Sequence, residues 1–86
     1  MELEITETAK EDIKFFIKSG QTSLVKKIEK LLIDIKETPF TGIGKPEPLK
    51  YNHTGKWSRR INSEHRVIYS VNGEIIYIYS VRGHYK

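Results

Sequence analysis

His65-Arg66-Val67-Ile68-Tyr69-Ser70-Val71-Asn72-Gly73-Glu74-Ile75-Ile76-Tyr77-Ile78-Tyr79-Ser80-Val81-Arg82 reads as two β-rich runs around Asn72-Gly73, and this hairpin decides the fold. β-Branched and aromatic residues suit a pleated, half-buried surface. Asn-Gly supplies the positive φ that a type I′ turn needs at both central positions. A two-residue loop there predicts Val71 opposite Glu74, Tyr69 opposite Ile76, Val67 opposite Ile78 and Arg66 opposite Tyr79. Alternation then puts Val67, Tyr69, Val71, Ile76 and Ile78 on one face, the seat for helices. Arg66, Ile68, Tyr77 and Tyr79 fall on the other, a cationic and aromatic surface. A one-residue slip in register would exchange the two faces.

Upstream of the turn-like Asn62-Ser63-Glu64, the run from Trp57 to Asn62 is a third strand signal, with Trp57 read as core packing. Before it lies a segment punctuated by Gly42, Gly44, Pro46 and Pro48. The N-terminal half is helical. Leu24, Val25, Ile28, Leu31, Leu32 and Ile35 make one apolar stripe, flanked by Lys26, Lys27, Lys30, Asp34 and Lys36, and this helix should stop near Thr38-Pro39. Ahead of it, Thr8-Ala9-Lys10-Glu11 has capping-box spacing, and Ala9, Ile13, Phe16 and Ile17 recur at helical intervals up to Ser19-Gly20. Leu3 and Ile5 alternate with Glu2, Glu4 and Thr6 as a short half-buried strand. The expected architecture is α+β, one domain over residues 1–86, with two N-terminal helices packed on one face of an antiparallel sheet.

Hydrophobic residues make up 37% of the chain and charged ones 30%, as in a small soluble globule. The sequence begins without a secretory signal pattern and has no apolar run long enough for a membrane span, so a cytoplasmic location is expected. The absence of cysteine excludes disulfides and cysteine-based zinc sites. The net charge of +4 is unevenly spread. Residues 1–41 carry seven Lys against eight Asp or Glu, whereas residues 42–86 carry eight Lys or Arg against Glu47, Glu64 and Glu74. Such a basic half suits a polyanionic partner, with nucleic acid the first candidate and a merely soluble basic surface the alternative.

Gly42-Ile43-Gly44-Lys45 lacks full phosphate-loop spacing, and Pro46 stands where a magnesium-binding Ser or Thr belongs. His53, His65 and His84 have no metal-ligand spacing, and no metal or other cofactor is expected. Cleavage of RNA through its own 2′-hydroxyl needs a base, cations on the phosphate and an acid for the leaving oxygen. Glu47, stiffened by Pro46 and Pro48, is a candidate base. Arg59 and Arg66 are candidate phosphate clamps, and His84 is a candidate acid. Tyr85, together with Tyr77 and Tyr79, is suited to stacking on an unpaired base. Each has a plainer reading. Glu47 also fits a solvated ion pair with Lys45 or Lys50, Arg60 an edge charge, His65 a structural bond, and His84-Tyr85 a frayed terminus. Since Arg59 and Arg60 alternate on a strand, one of them must face away from any site.

Thr38-Pro39-Phe40, Gly44-Lys45-Pro46-Glu47-Pro48-Leu49-Lys50, Trp57-Ser58-Arg59-Arg60-Ile61, Glu64-His65-Arg66, Tyr69 and the closing His84-Tyr85 together resemble the YoeB (Txe/YoeB) toxins of bacterial toxin-antitoxin pairs. The similarity spans nearly the whole chain and is densest from Thr38 to Tyr69. It implies a RelE-like microbial ribonuclease fold and a metal-independent endoribonuclease that cuts messenger RNA in the ribosomal A site, stopping translation. By the same resemblance, Glu47 is the general base, Arg66 stabilises the pentacoordinate phosphate with Arg59 assisting, and His84 is the general acid. Tyr85 then orients the substrate, and Lys50 matches a basic position near it. Implied partners are ribosome-bound mRNA, the ribosomal RNA of the A site, a second copy of the chain, and an antitoxin whose disordered acidic segment wraps the toxin. Two departures stand out: Gly83 where an aromatic can precede the histidine, and Lys86 beyond the usual His-Tyr end. His53 receives no role. A rival of another class is a toxin of the same fold that inhibits a protein such as gyrase without cleavage; a passive RNA-binding module is a second.

Overall fold

Gly73 and Glu74, one step later than Asn72-Gly73, form the hairpin loop in the computed structural model, which describes residues 1–83 apart from the Asn52 side chain. The elements follow in the order β1 (Glu2–Ile5), α1 (Glu7–Lys18), α2 (Thr22–Glu37), β2 (Glu47–Pro48), a 3-10 turn (Tyr51–His53), β3 (Trp57–Arg60), β4 (Arg66–Asn72) and β5 (Ile75–Ser80). Asn72 pairs with Ile75, Val71 with Ile76, Ser70 with Tyr77 and Tyr69 with Ile78. Gly73 has φ +61° and Asn72 stays in the strand, the signature of a type II′ loop, which needs positive φ only at its first central residue. Moving the loop by one residue moves each β5 partner by two. The predicted pairing of Tyr69 with Ile76 is therefore wrong, but the predicted faces survive, because side-chain alternation has period two. Val67, Tyr69, Ile76 and Ile78 are fully buried.

A bulge then breaks the register. Ile68 pairs with Ser80 while Tyr69 pairs with Ile78, leaving Tyr79 unopposed. Arg66 consequently does not face Tyr79; its N–H donates to the Gly83 carbonyl at 3.0 Å.

The sheet order is β1-β5-β4-β3-β2. The four strands from β2 to β5 are antiparallel neighbours, and β1 joins β5 in parallel at the far edge. Both helices cover one face. Ala9 and Phe16 of α1 and Ile28, Leu31 and Ile35 of α2 pack against the buried β4 and β5 residues, with Ile13, Leu24, Val25, Leu32 and Trp57 at the margin. The stripe expected for α2 is the one that is buried. On α1, Ile17 is 59% exposed; at 100° per residue it lies past Ala9, Ile13 and Phe16, beyond the edge of the sheet.

The cap of α1 is Thr6, not Thr8. Thr6 Oγ1 accepts the Ala9 N–H at 3.3 Å and donates to the Tyr79 carbonyl at 3.1 Å. Its own N–H continues the parallel ladder to the Ile78 carbonyl at 3.1 Å. A hydroxyl that caps the helix and also bonds the neighbouring strand outcompetes a local box of the same spacing. The second helix ends where Thr38 bonds back to the Asp34 carbonyl at 2.8 Å. Among the described residues no helix is long and apolar enough to cross a membrane.

Candidate active site on the exposed sheet face

Glu47 is held at the sheet edge by bonds on both sides of it. The Arg60 N–H donates to the Gly44 carbonyl at 2.7 Å, and the Leu49 N–H to the Lys56 carbonyl at 2.8 Å. Between them Glu47 pairs with Ser58, and Pro48 with Trp57. Pro48 is tolerated because β2 is an edge strand. Gly44 permits the approach: it has φ +81°, and a Cβ there would stand 2.8 Å from Leu31 Cδ2 and 3.0 Å from the Arg60 carbonyl oxygen. Glu47 is exposed and makes no ion pair among the described residues, so the Lys45 or Lys50 pairing is not formed.

Register carries this carboxylate onto the face away from the helices. Ser58 pairs with Glu47 on one side and with Ile68 on the other, while Arg60 pairs with Arg66. Glu47, Ser58, Arg60, Arg66 and Ile68 therefore share a face. Ser58 is fully buried, and its hydroxyl accepts from Arg66 Nη1 at 3.2 Å. The half-buried Arg66 guanidinium thus ends beside the residue that faces Glu47 across the strands, and makes no other hydrogen bond among the described residues. Two arginines directly opposed on neighbouring strands repel one another. An anion lying between them removes that repulsion, so the Arg60–Arg66 pair is a phosphate-sized invitation at the end of the row.

Farther along the face, Tyr77 and Tyr79 lie nearly parallel with centroids 6.4 Å apart. The Tyr79 hydroxyl bonds Ser70 Oγ at 2.8 Å, and Lys56 Nζ sits 4.6 Å from the Tyr79 ring centroid. Cation and aromatics are thus on the expected face. Lys50 is exposed just before the 3-10 turn. His84 and Tyr85, expected as acid and substrate contact, lie outside the described residues. Their attachment point does not: the Gly83 carbonyl is bonded to the Arg66 N–H, so the peptide leading into His84 starts beside Arg66.

Arg59 is a correction. It lies on the helix-facing side and is fully buried. Its Nε donates to the Tyr69 hydroxyl at 3.2 Å, Nη1 to Asp34 Oδ2 and to the Ile43 carbonyl at 3.1 Å, and Nη2 to the Thr38 carbonyl and to the Thr41 carbonyl at 2.8 Å. Those bonds use all the N–H donors that a guanidinium has, so none is left for a phosphate. Tyr69 in turn donates to the Pro39 carbonyl at 2.7 Å. Burial pushes the Tyr69 phenol above its ordinary range, partly offset by the Arg59 guanidinium bonded to it. Arg59 thereby ties the loop 38–43 to α2 and the sheet, while Arg60 takes the place on the open face. The signal was in the sequence: if Trp57 packs inward, Arg59 two residues on must share its face. Asp34 sits among the polar flanks of α2, and nothing local marks it as a buried arginine's partner.

A family model described as a YoeB-like toxin of bacterial type II toxin-antitoxin system matches residues 5–85. Toxin YoeB of Synechocystis sp. is 45% identical over 86 residues, 100% of this chain and 99% of that protein. Toxin YoeB of Escherichia coli K12 is 53% identical over 62 residues, 72% of this chain and 74% of that protein. Among solved structures, a YoeB/ParE toxin from Agrobacterium tumefaciens superposes with a TM-score of 0.92 at 41% identity, covering 99% of this chain and 100% of that one. The toxin of a YoeB-YefM complex from Staphylococcus aureus superposes with a TM-score of 0.85 at 44% identity, and that of a YoeB dimer from the same organism with 0.86 at 44%, each covering 99% of this chain and 98% of the other.

Proposed function

This chain belongs to the YoeB family of bacterial type II toxins, and from that premise we propose that it is a metal-independent endoribonuclease that cleaves mRNA in the ribosomal A site. The observation that carries the reading is the shared exposed face of Glu47, Arg60 and Arg66, with the start of the His84 segment bonded to Arg66. Glu47 takes the proton from the 2′-hydroxyl, whose oxygen attacks the adjacent phosphorus. Arg66, with Arg60 opposite, meets the charge that builds on the phosphoryl oxygens. His84 protonates the departing 5′-oxygen, leaving a 2′,3′-cyclic phosphate on one fragment and a 5′-hydroxyl on the other. Lys50 and Tyr85 hold the message, by charge and by stacking on an unpaired base. Arg59 has no part in this chemistry.

The YoeB-YefM complex and the YoeB dimer of Staphylococcus aureus support a reading with two protein partners for this chain. A second copy forms a homodimer, and a cognate antitoxin neutralises the toxin. Cytoplasmic location follows from a substrate held on ribosomes. The test is cleavage of message on programmed ribosomes, with 5′ ends mapped and 3′ ends analysed. Glu47→Gln and His84→Gln should abolish A-site cuts and growth arrest while preserving the unfolding transition. Undiminished toxicity in both variants sinks the catalytic assignment and favours inhibition of a protein target; a requirement for added metal, or a 3′-hydroxyl product, sinks attack by the 2′-hydroxyl.

A further inference from the structure

The last described residues are fastened to α1, to the start of β4 and to the residue just before it. The Val81 N–H donates to Asp12 Oδ2 of α1 at 3.0 Å. The Arg82 guanidinium lies 3.6 Å from the Phe15 ring centroid. At Gly83 both polar backbone groups are taken by consecutive residues: its N–H donates to His65 Nδ1 at 2.8 Å, and its carbonyl accepts from the Arg66 N–H at 3.0 Å. Any residue at position 66 other than proline supplies the second bond. Only a side chain with an acceptor at that place supplies the first.

His65 is itself fixed on every side. Its N–H donates to Asn62 Oδ1 at 2.8 Å, and its carbonyl accepts from the Ile61 N–H at 2.9 Å. Its ring packs edge-on against the buried Phe16, with centroids 5.0 Å apart. Acceptance at Nδ1 means that the neutral ring carries its proton on Nε2. Gly83, by contrast, has φ +77° with nothing within 4 Å of where a Cβ would stand. Crowding does not demand glycine there, and its backbone is the freest of any residue. The direction in which the chain leaves Arg66 therefore depends on the two bonds to residues 65 and 66.

We propose that His65 is a positioning residue: its Nδ1, fixed against Phe16, holds the Gly83 amide and so sets where the acid that follows Gly83 in the chain is delivered. This rests on His84 being that acid. A misplacement of about 1 Å in a reacting group can cost on the order of 100-fold in rate, which a freely turning glycine would allow.

The experiment compares His65→Phe, which keeps the ring against Phe16 and removes the acceptor, with His65→Asn, whose amide oxygen stands near the Nδ1 position. On ribosomes programmed with ordinary message, His65→Phe should lower kcat by roughly 10- to 100-fold with KM little changed, and His65→Asn should recover most of the loss. A second message carries sulfur at the 5′-bridging position of the scissile phosphate, so that the thiolate leaves without an acid. On it, His65→Phe and His84→Gln should both approach the unsubstituted protein. If His84→Gln is slow on oxygen and rescued by sulfur while His65→Phe is normal on both, the positioning role is overturned and the acid reading stands. If sulfur does not rescue His84→Gln, the acid reading fails and the inference falls with it. A slow His65→Phe that sulfur leaves slow, or equal losses in Phe and Asn variants, also overturns it. Should His65→Phe not fold, His65→Gln, whose amide reaches the Nε2 position, takes its place with the same expected outcomes.

Discussion

Arg59 and Arg66 come from neighbouring strands and carry the same charge, yet their surroundings are opposite. Arg59 is buried under α2 with its donors spent on Asp34, Tyr69 and the carbonyls of Thr38, Thr41 and Ile43. Arg66 lies on the open face with one side-chain bond, to Ser58. The first guanidinium organises a loop, and the second is left with donors to offer an anion. What separates them is the face of the sheet. A buried charge must be fully bonded to be tolerated at all, whereas a half-exposed one keeps water on its remaining donors until a ligand displaces it.

Substitutions should split the two regions cleanly. Removing Arg59 has the largest expected effect on stability: Arg59→Met takes away the ion pair of Asp34, the donor to the Tyr69 hydroxyl and the donors to three loop carbonyls, and should cost about 3–5 kcal/mol in urea unfolding. The same change at Arg66 should cost less than about 1 kcal/mol. If Arg59→Met unfolds at the midpoint of the unsubstituted protein, the contrast is gone. Next is the reverse arm. Arg66→Ala should lower mRNA cleavage by at least roughly 100-fold, about 2.7 kcal/mol of transition-state stabilisation, with an unchanged unfolding transition. Equal loss of stability in that variant would make Arg66 a second structural arginine.

Smaller effects sharpen the boundary between the regions. Gly44→Ala puts a methyl against Leu31 and the Arg60 carbonyl at a φ of +81°, and should cost about 1–3 kcal/mol by thermal or urea unfolding. Because Gly44 also anchors the segment before Glu47, cleavage should fall as well; a stable, fully active variant would uncouple the loop from the site. Tyr69→Phe should cost about 1 kcal/mol, and it carries a pH signature. The folded phenol is raised above 10.0 mainly by burial. Its contribution is complete below that value and is lost as pH climbs from there towards the folded pKa, because the unfolded tyrosine releases its proton first. Stability curves taken from pH 8 upward should therefore fall less steeply in Tyr69→Phe, and parallel curves would contradict the assignment.

Much of the fold was legible because it depends on local periodicity. The α2 stripe, the strand runs and the inward face of the β4–β5 hairpin all follow from spacing along the chain, and the faces survived a displaced turn because alternation depends only on parity. The cap was misplaced at Thr8 because the spacing that marks a box says nothing of the Tyr79 carbonyl that Thr6 reaches. Glu47 stood out in the sequence through its flanking prolines, and Arg66 through the alternation of faces along its strand. Arg59 shares the inward parity of Trp57 on β3, which leaves Arg60 for the open face.

The sequence by itself determined two helices, a hairpin with a definite inner face, a basic second half and a set of motifs that identify the family. Tertiary structure alone decided that Asp34 is the counter-ion of Arg59, that the carbonyls of Thr38, Thr41 and Ile43 take its other donors, and that His65 meets Gly83. These are contacts between residues distant in the chain, settled by packing and by the need to bond every buried donor, and no local pattern of residues encodes them.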